Sequence, residues 1–545
     1  MTEPEKLPFD PNDMPPLARY RYYHPFQFDV YSIFVYTWIV YAWSILIHPM
    51  GRDYLHMAHP SETMPPMVAN AFQAMLNTFG DSVIPYHVTN VLLLYLCTML
   101  VYMFIVPYVG QGIWLASWGA VMFMANPVHT ESVANLSGIV DLLPCVAALA
   151  ALVAYQQNTL KPRAWLLGVA LALYAFAGFA FPSNAFLGLV FVLYEYVVLK
   201  PEKRQWRRMA GVLAIGAGSI AYHYASLWPL GFNPAHSFAP LYFIAYPIGF
   251  LPENAAYFHL HPWVGWVAAA AVLGVAVLVV RKSGSKIVLL CLLAMVAIRL
   301  YGGTIVSIPD RSQSVGNVVD PVHLTGGGQL ILPCAFFSIA LALVALAVMK
   351  KPNWRVTAVS LTTVMAAAIF LLEVITLWNW REAGKFVAEF QGEATTRHQT
   401  SKKPVGILPA WRHYQGAPVD LASAITFDTP FNERVPSVPL LPLDLRRGAH
   451  FELTIDKGVA DSPPTAKGWD VRVAGRELSD MAPWPYDLAH RADQIPMGAS
   501  KVDVWERSEK GFLLRVSTGA DLPGYDVLPG IKIPGAAMDG DTAEN

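Results

Sequence analysis

The sequence predicts an α-helical polytopic membrane bundle of about eleven transmembrane helices, followed by a small β-rich domain outside the membrane. Three observations predict it. Apolar residues make up 54% of the 545-residue chain and charged residues only 14%, and the mean hydropathy of +0.39 is far above that of a soluble domain. Eleven apolar runs approach the roughly 17 to 25 residues that a helix needs to cross a bilayer. After Trp380 the composition shifts abruptly toward Pro, Asp and Arg.

Residues 1 to 28 are polar and Pro-rich and are expected to be a cytoplasmic N-terminal segment. The first apolar run is long enough to stay as a span, so no cleavable signal peptide is expected. Spans fall near 29 to 47, 88 to 108, 112 to 127, 139 to 156, 164 to 182, 184 to 200, 209 to 228, 263 to 280, 287 to 307, 329 to 349 and 356 to 378. The connections alternate in charge. "RYRYY", "NTLKPR", "KPEKRQWRR", "RKSGSK" and "MKKPNWR" share one side, and the opposite loops hold almost no Lys or Arg. The positive side is expected to be cytoplasmic, which places the N-terminus inside and everything after Trp380 outside. Only "PYVGQG", between the second and third spans, has no positive charge to orient it.

The first outer loop, about 48 to 87, contains Val68, Phe72, Met75, Leu76 and Phe79 at helical spacing. Such a helix either lies on the membrane surface or packs on the end of the bundle. Gly326 to Gly328 lie in another outer loop and read as a turn, since no Lys-Ser/Thr follows to make a phosphate loop. In the tail, "HFELTID", "WDVRVAG", "KVDVWER" and "FLLRVST" alternate apolar and polar residues as half-buried strands do. These predict a β-sandwich over 381 to 535, ending in a disordered segment, 536 to 545. No tetratricopeptide period is present in the tail. Cys97, Cys145, Cys291 and Cys334 all lie in apolar runs, which argues against disulfides and Cys-ligated zinc. A net charge of -1 gives no basic surface for nucleic acid.

Chemistry is expected where charge meets the outer mouth of the bundle. Asp53, Glu62, Asp81 and His87 come from the first loop, and His129 and Glu131 from "NPVHTESVANLSGIVDLL", residues 126 to 143. Asp141 follows Glu131 by ten residues, so a helix would let both face one cavity. Carboxylates and imidazoles at one membrane face suit general base catalysis or a divalent cation. Glu62 and Asp81 read as solvated loop acids, whereas Asp53 directly follows the first span. Glu131 also suits a helix start electrostatically. Arg299, Glu195 and Glu373 interrupt apolar runs. Arg299 could hold a lipid phosphate or pair with a carboxylate.

"PYHVTNVLLLY", followed some thirty residues later by "NPVHTESVANLSGIVDLL", resembles the membrane part of the transmembrane and tetratricopeptide-repeat O-mannosyltransferases and their bacterial relatives. That family is polytopic and GT-C-like, and takes a sugar from a polyprenyl-phosphate carrier on the outer or lumenal face. Its pattern is matched by Asp53, His87, Asn90, Asn126, Pro127, His129, Glu131, Val133, Ala134, Gly138 and Asp141. The resemblance implies that Asp53, Glu131 and His129 are catalytic, and that His87, Asn90, Asp141 and Arg299 bind substrate. Asp53 would be the general base, and Arg299 would neutralise the departing phosphate. The departures are Arg52 in place of a second acid, Ile139 in place of an Arg, Leu94 in place of a His, and Ser183 and Asn184 in place of a Lys-Glu pair. The family's repeat domain is replaced by the β-rich tail.

Two functions remain open at this point. One is a membrane glycosyltransferase moving a hexosyl or mannosyl group from a polyprenyl-phosphate-linked sugar to a protein or glycan acceptor. It needs no redox cofactor, and its acidic cluster is thin for a divalent cation. The other is a catalytically degenerate scaffold that binds membrane lipid or docks a protein partner through its C-terminal domain; the lost charges favour it. A transporter fits less well, because no internal repeat is visible. Sparse loops without disulfides suggest the inner membrane of a bacterium.

Overall fold

The computed structural model describes residues 24–110, 113–225, 285–298, 327–350 and 352–401, with short separate stretches between 270 and 281 and between 405 and 527. Helix α1 (Pro25–Tyr41) begins with Pro at a position where its missing N–H costs nothing, and continues as a 3-10 turn, Ala42–Leu46. The first loop then folds into α2 (Asp53–Ala58), α3 (Pro60–Thr63) and α4 (Pro66–Phe79). In α4, Val68, Ala69, Phe72, Met75 and Leu76 are buried, so this amphipathic helix packs on the bundle. Gly80 ends it with φ of 56°, a conformation that a side chain would strain.

Helices α5 (Val83–Val109) and α6 (Ile113–Met124) follow. The chain then turns through α7 (Thr130–Ala134) into α8 (Ile139–Leu160) and α9 (Ala164–Ala180). Helix α10 (Leu187–Leu193) widens into a π turn at Tyr194–Val198, and α11 (Trp206–Ala225), α12 (Lys286–Ile298), α13 (Ile331–Met349) and α14 (Pro352–Ser401) complete the described helices. Helices α5, α8 and α13 pack against one another, and Leu94, Val101, Ala148, Leu152, Phe336 and Ile339 on them are buried.

Five helices are long and apolar enough to cross a membrane: Phe26–Leu46, Val83–Val109, Leu136–Leu160, Ile331–Met349 and Asn353–Thr396. The expectation of eleven is corrected to five among the described residues. The other apolar runs fold into shorter pieces, such as the 12-residue α6, which rises about 18 Å, well short of the roughly 30 Å hydrocarbon core. The expected spans 209 to 228 and 287 to 307 run partly outside the described residues. The expected span at 263 to 280 lies mostly outside the described residues. Helix α14 runs through Trp380, where the sequence ends the last span, to Ser401.

In the tail the described strands are two to four residues long. Phe451–Thr454 pairs antiparallel with Val471–Val473 and with Lys501–Val504, all three within stretches that alternate in the sequence. Val405–Ile407 pairs in parallel with Ser437–Pro439 and Asp526–Val527. "FLLRVST" and most of the tail, and with them the expected β-rich domain as a whole, lie outside the described residues.

Candidate functional site

Residues 122–142 are all buried, yet they do not form one helix. A 3-10 turn (Pro127–His129), α7, and a second 3-10 turn (Leu136–Gly138) break the path. Irregular backbone inside an apolar bundle needs partners for its N–H and C=O groups. Side chains from several other elements supply them. Asp53, at the start of α2, accepts from the Leu136 N–H at 3.0 Å, the Ser137 N–H at 2.9 Å and the Ser137 hydroxyl at 2.8 Å. His87 on α5 sits 3.0 Å from the Val133 carbonyl and 3.0 Å from that of Ile47. Nearly one turn later, Asn90 donates Nδ2 to the Asn135 carbonyl at 2.7 Å. Tyr41 donates to the Met124 carbonyl at 2.7 Å, and Thr130 donates to Glu373 of α14 at 2.8 Å.

The segment also ties itself together. Asn126 Oδ1 caps the first turn by accepting from the Val128 N–H at 3.1 Å, and His129 Nε2 donates to the Phe123 carbonyl at 2.7 Å. The Phe123 and His129 rings stack edge-on, 4.5 Å apart. At Gly138 an added Cβ would lie 1.7 Å from the Ser132 carbonyl oxygen, so the two turns can approach only with glycine there.

Beside this segment lies a cluster of charge. Arg52, at the cap of α2, pairs through Nη2 with Oδ2 of Asp141, and its Nε is 3.7 Å from Oε1 of Glu131. The Ser132 hydroxyl donates to the same Asp141 oxygen at 2.9 Å. Gly328 closes over the carboxylate, since a Cβ there would come within 2.2 Å of Asp141 Cγ. The resemblance expects a cation at 139, two residues before Asp141. Here Ile139 carries none, and the guanidinium reaches Asp141 from position 52 instead. The loss and the gain noted separately in the sequence therefore meet at one carboxylate.

Electrostatics follow from burial. Desolvation raises the Asp53 carboxyl above its ordinary range, against the pull of the Ser137 and Leu136 N–H groups and Arg52. Burial opposes the charge of Arg52, but Asp141, Glu131 and Asp53 together hold its pKa above the usual arginine value. His56, one turn along α2, is pushed well below the ordinary imidazole range by burial and by Arg52. Burial lowers His129 to about 3 despite the Phe123 carbonyl.

The structure thus brings Asp53, His87, Asn90, His129, Glu131 and Asp141 together on or around one buried segment. Arg299 lies outside the described residues, as does the side chain of Glu62. Asp81 is exposed, as a solvated loop acid would be. Glu195 is at the other end of α8, bound to Arg208 and Tyr155. Among the described residues no three His, Cys, Asp or Glu side chains form a group able to hold a metal ion. The sequence reading missed Arg52 as a member of the cluster, and it missed His56. The signal was the spacing: residues 52, 53 and 56 share one turn of a helix that starts just after a span.

No family model matches the chain. It is similar to the protein O-mannosyl-transferase Tmtc1 of Drosophila melanogaster, at 33% identity over 113 residues, 20% of this chain and 13% of that protein. It is also similar to a protein O-mannosyl-transferase of Caenorhabditis elegans, at 26% identity over 139 residues, 24% of this chain and 20% of that one. The matched stretches therefore span a fifth or less of these relatives' length.

Proposed function

We propose that this chain is a membrane glycosyltransferase of GT-C type that moves a sugar from a polyprenyl-phosphate carrier to a protein acceptor on the extracytoplasmic face. The observation that carries the reading is the cluster of Arg52, Glu131 and Asp141, partly open to solvent at Arg52, beside a buried segment bonded by the side chains of Tyr41, Asp53, His87, Asn90 and Glu373. Names of the two relatives support the reaction class. In this reading Glu131 and Asp141 accept the acceptor's proton or hold its hydroxyl, and Arg52 sets their charge and geometry. Asp53, His87, Asn90 and His129 are positioning residues, because their bonds go to the backbone of the segment. Arg299 is the candidate partner of the leaving phosphate.

The accompanying organisation is a cytoplasmic segment 1–28, a transmembrane domain 29–380 of up to eleven spans with its outer loop 48–87, an extracytoplasmic domain 381–535 that opens with the end of α14 and is β-rich beyond Ser401, and a tail 536–545. The setting is a bacterial inner membrane. A second reading, a lipid-binding or partner-docking scaffold, is favoured by one observation: Asp53 is wholly engaged in holding the 136–137 turn. The test is transfer of radiolabelled mannose from a polyprenyl-phosphate carrier to protein in membranes containing this chain. Incorporation that disappears in Glu131→Gln supports the enzyme. Equal incorporation with and without the chain, together with a stoichiometric protein partner on gentle purification, supports the scaffold.

A further inference from the structure

Positive charge collects at the end of α8 away from Asp141, in the basic connections "NTLKPR" and "KPEKRQWRR". The apolar span Leu136–Leu160 stops there, and Lys161 and Arg163 follow at once. Helix α9 then opens with Trp165, which is 60% exposed, and α11 opens with Trp206, which is 70% exposed and precedes the exposed Arg207.

Packing sets these two starts side by side. An added Cβ on Gly211 would touch Leu171 at 3.8 Å, and one on Gly178 would come within 3.0 Å of the Ser219 hydroxyl, so α9 and α11 run parallel and in step. Carried back to the first turns, that register sets Trp165 level with Gln205 and Trp206. Buried groups fix the backbone between the cations. Asn158 Oδ1 accepts from the Arg163 N–H at 3.0 Å, Arg204 donates to the Glu195 and Tyr196 carbonyls at 3.1 and 2.9 Å, and Arg208 donates to the Lys203 carbonyl at 2.8 Å. Lys161, Arg163, Lys200, Lys203 and Arg207 stay exposed, and none pairs with a carboxylate among the described residues. Glu202 is the one acid in the two connections.

A largely exposed indole is poorly placed in water and well placed at a lipid headgroup, where the ring meets apolar atoms and its N–H stays hydrated. Lysine and arginine beside it bind phosphate, and a surplus of cations favours a headgroup with net negative charge over a zwitterionic one. The end of the span at Leu160 puts these groups at the membrane surface, which favours a lipid over a soluble anion. We propose that Arg163, Trp165, Lys203, Trp206 and Arg207 form a docking surface for the headgroup of an anionic phospholipid, in the leaflet on the side of the basic connections. The surface lies at the opposite end of α8 from the Asp141 cluster and does not depend on the glycosyltransferase reading.

The experiment is native mass spectrometry of the full chain in detergent, titrated with phosphatidylglycerol and, separately, with phosphatidylcholine. Phosphatidylglycerol is expected to bind more tightly, and Arg163→Gln, Lys203→Gln and Arg207→Gln should each weaken it about 5-fold. The pair Lys350→Gln and Arg355→Gln, in the basic connection between α13 and α14, should leave that affinity unchanged. Thermal unfolding checks that every variant folds. Equal affinity for the two lipids overturns the proposal. Equal weakening by the Lys350 and Arg355 changes overturns it too, because charge on that side would then act without a local surface. Displacement of phosphatidylglycerol by millimolar inorganic phosphate overturns it in favour of a free-anion site.

Discussion

At each end of α8 an arginine from another element pairs with carboxylate, and the two pairs are built differently. At the far end, Glu195 faces one cation. Arg208 Nη2 bonds its Oε2 at 3.3 Å, Nε sits 2.9 Å from Oε1, and the Tyr155 hydroxyl donates to Oε1 at 2.6 Å. Arg208 Nη2 also reaches the Lys203 carbonyl at 2.8 Å, and its side chain is 3% exposed. Charge balances charge there. At the near end, Arg52 serves Asp141 and Glu131 at once, and its side chain is 14% exposed. A balanced, sealed pair joins helices; an unbalanced pair open to solvent leaves polar capacity for something else.

The largest effect should come from breaking the sealed end. Arg208→Met strands a buried carboxylate and should cost about 3–5 kcal/mol, whereas the double change with Glu195→Leu should recover most of it. Thermal unfolding in detergent measures both, and a double variant no more stable than the single one would break the comparison. Next, Asp53→Ala removes the acceptor of three buried donors around the 136–137 turn and should cost about 3 kcal/mol. Protease susceptibility of the 122–142 segment should rise with it. If Asp53→Ala left stability unchanged but abolished transfer, Asp53 would move from the positioning group to the chemistry.

A smaller effect is expected at Gly328. Gly328→Ala forces a methyl against the Asp141 carboxylate and should cost about 1–3 kcal/mol, read as a lower unfolding temperature. Smallest over any one pH unit is a titration effect. His129 is neutral in the folded chain, with its pKa lowered to about 3 from the ordinary 6.5. The unfolded chain therefore binds the extra proton first. The stability tied to this neutral ring is complete above pH 6.5 and declines as pH falls toward 3, by at most about 1.4 kcal/mol per pH unit. Asp53, raised by burial, acts in the opposite sense, so the clean readout is the difference from His129→Phe. That variant should show a flatter fall in unfolding temperature between pH 6.5 and 5, and an unchanged slope would mean that His129 is not buried neutral.

Much of this arrangement could be read before folding was considered. The order Asp53, His87, Asn90, His129, Glu131, Asp141 and the apolar runs between them picked out the residues that gather around one segment. Their tasks were not legible. The family resemblance implied a base at Asp53, but whether a carboxylate faces a substrate or two N–H groups depends on where the backbone of another segment turns. Arg52 looked like a lost acid, since the sequence cannot say that position 52 lies beside Asp141, 89 residues away. Among the described residues fewer spans form than the apolar runs suggest, because hydropathy counts apolar residues and does not see where the backbone turns, as it does at Ala125–Pro127 after α6.

By itself the sequence determined the membrane class, the helical centre and the amphipathic face of α4, because burial of apolar side chains depends on composition and on periods of a few residues. Only the tertiary structure decided that 122–142 is a buried, irregular path with its polar groups bonded by distant side chains. It alone also set one guanidinium between two carboxylates with His56 on the same face. Hydrogen bonds and ion pairs act over about 3 Å between residues that the chain keeps far apart, so their partners exist only once the helices have packed.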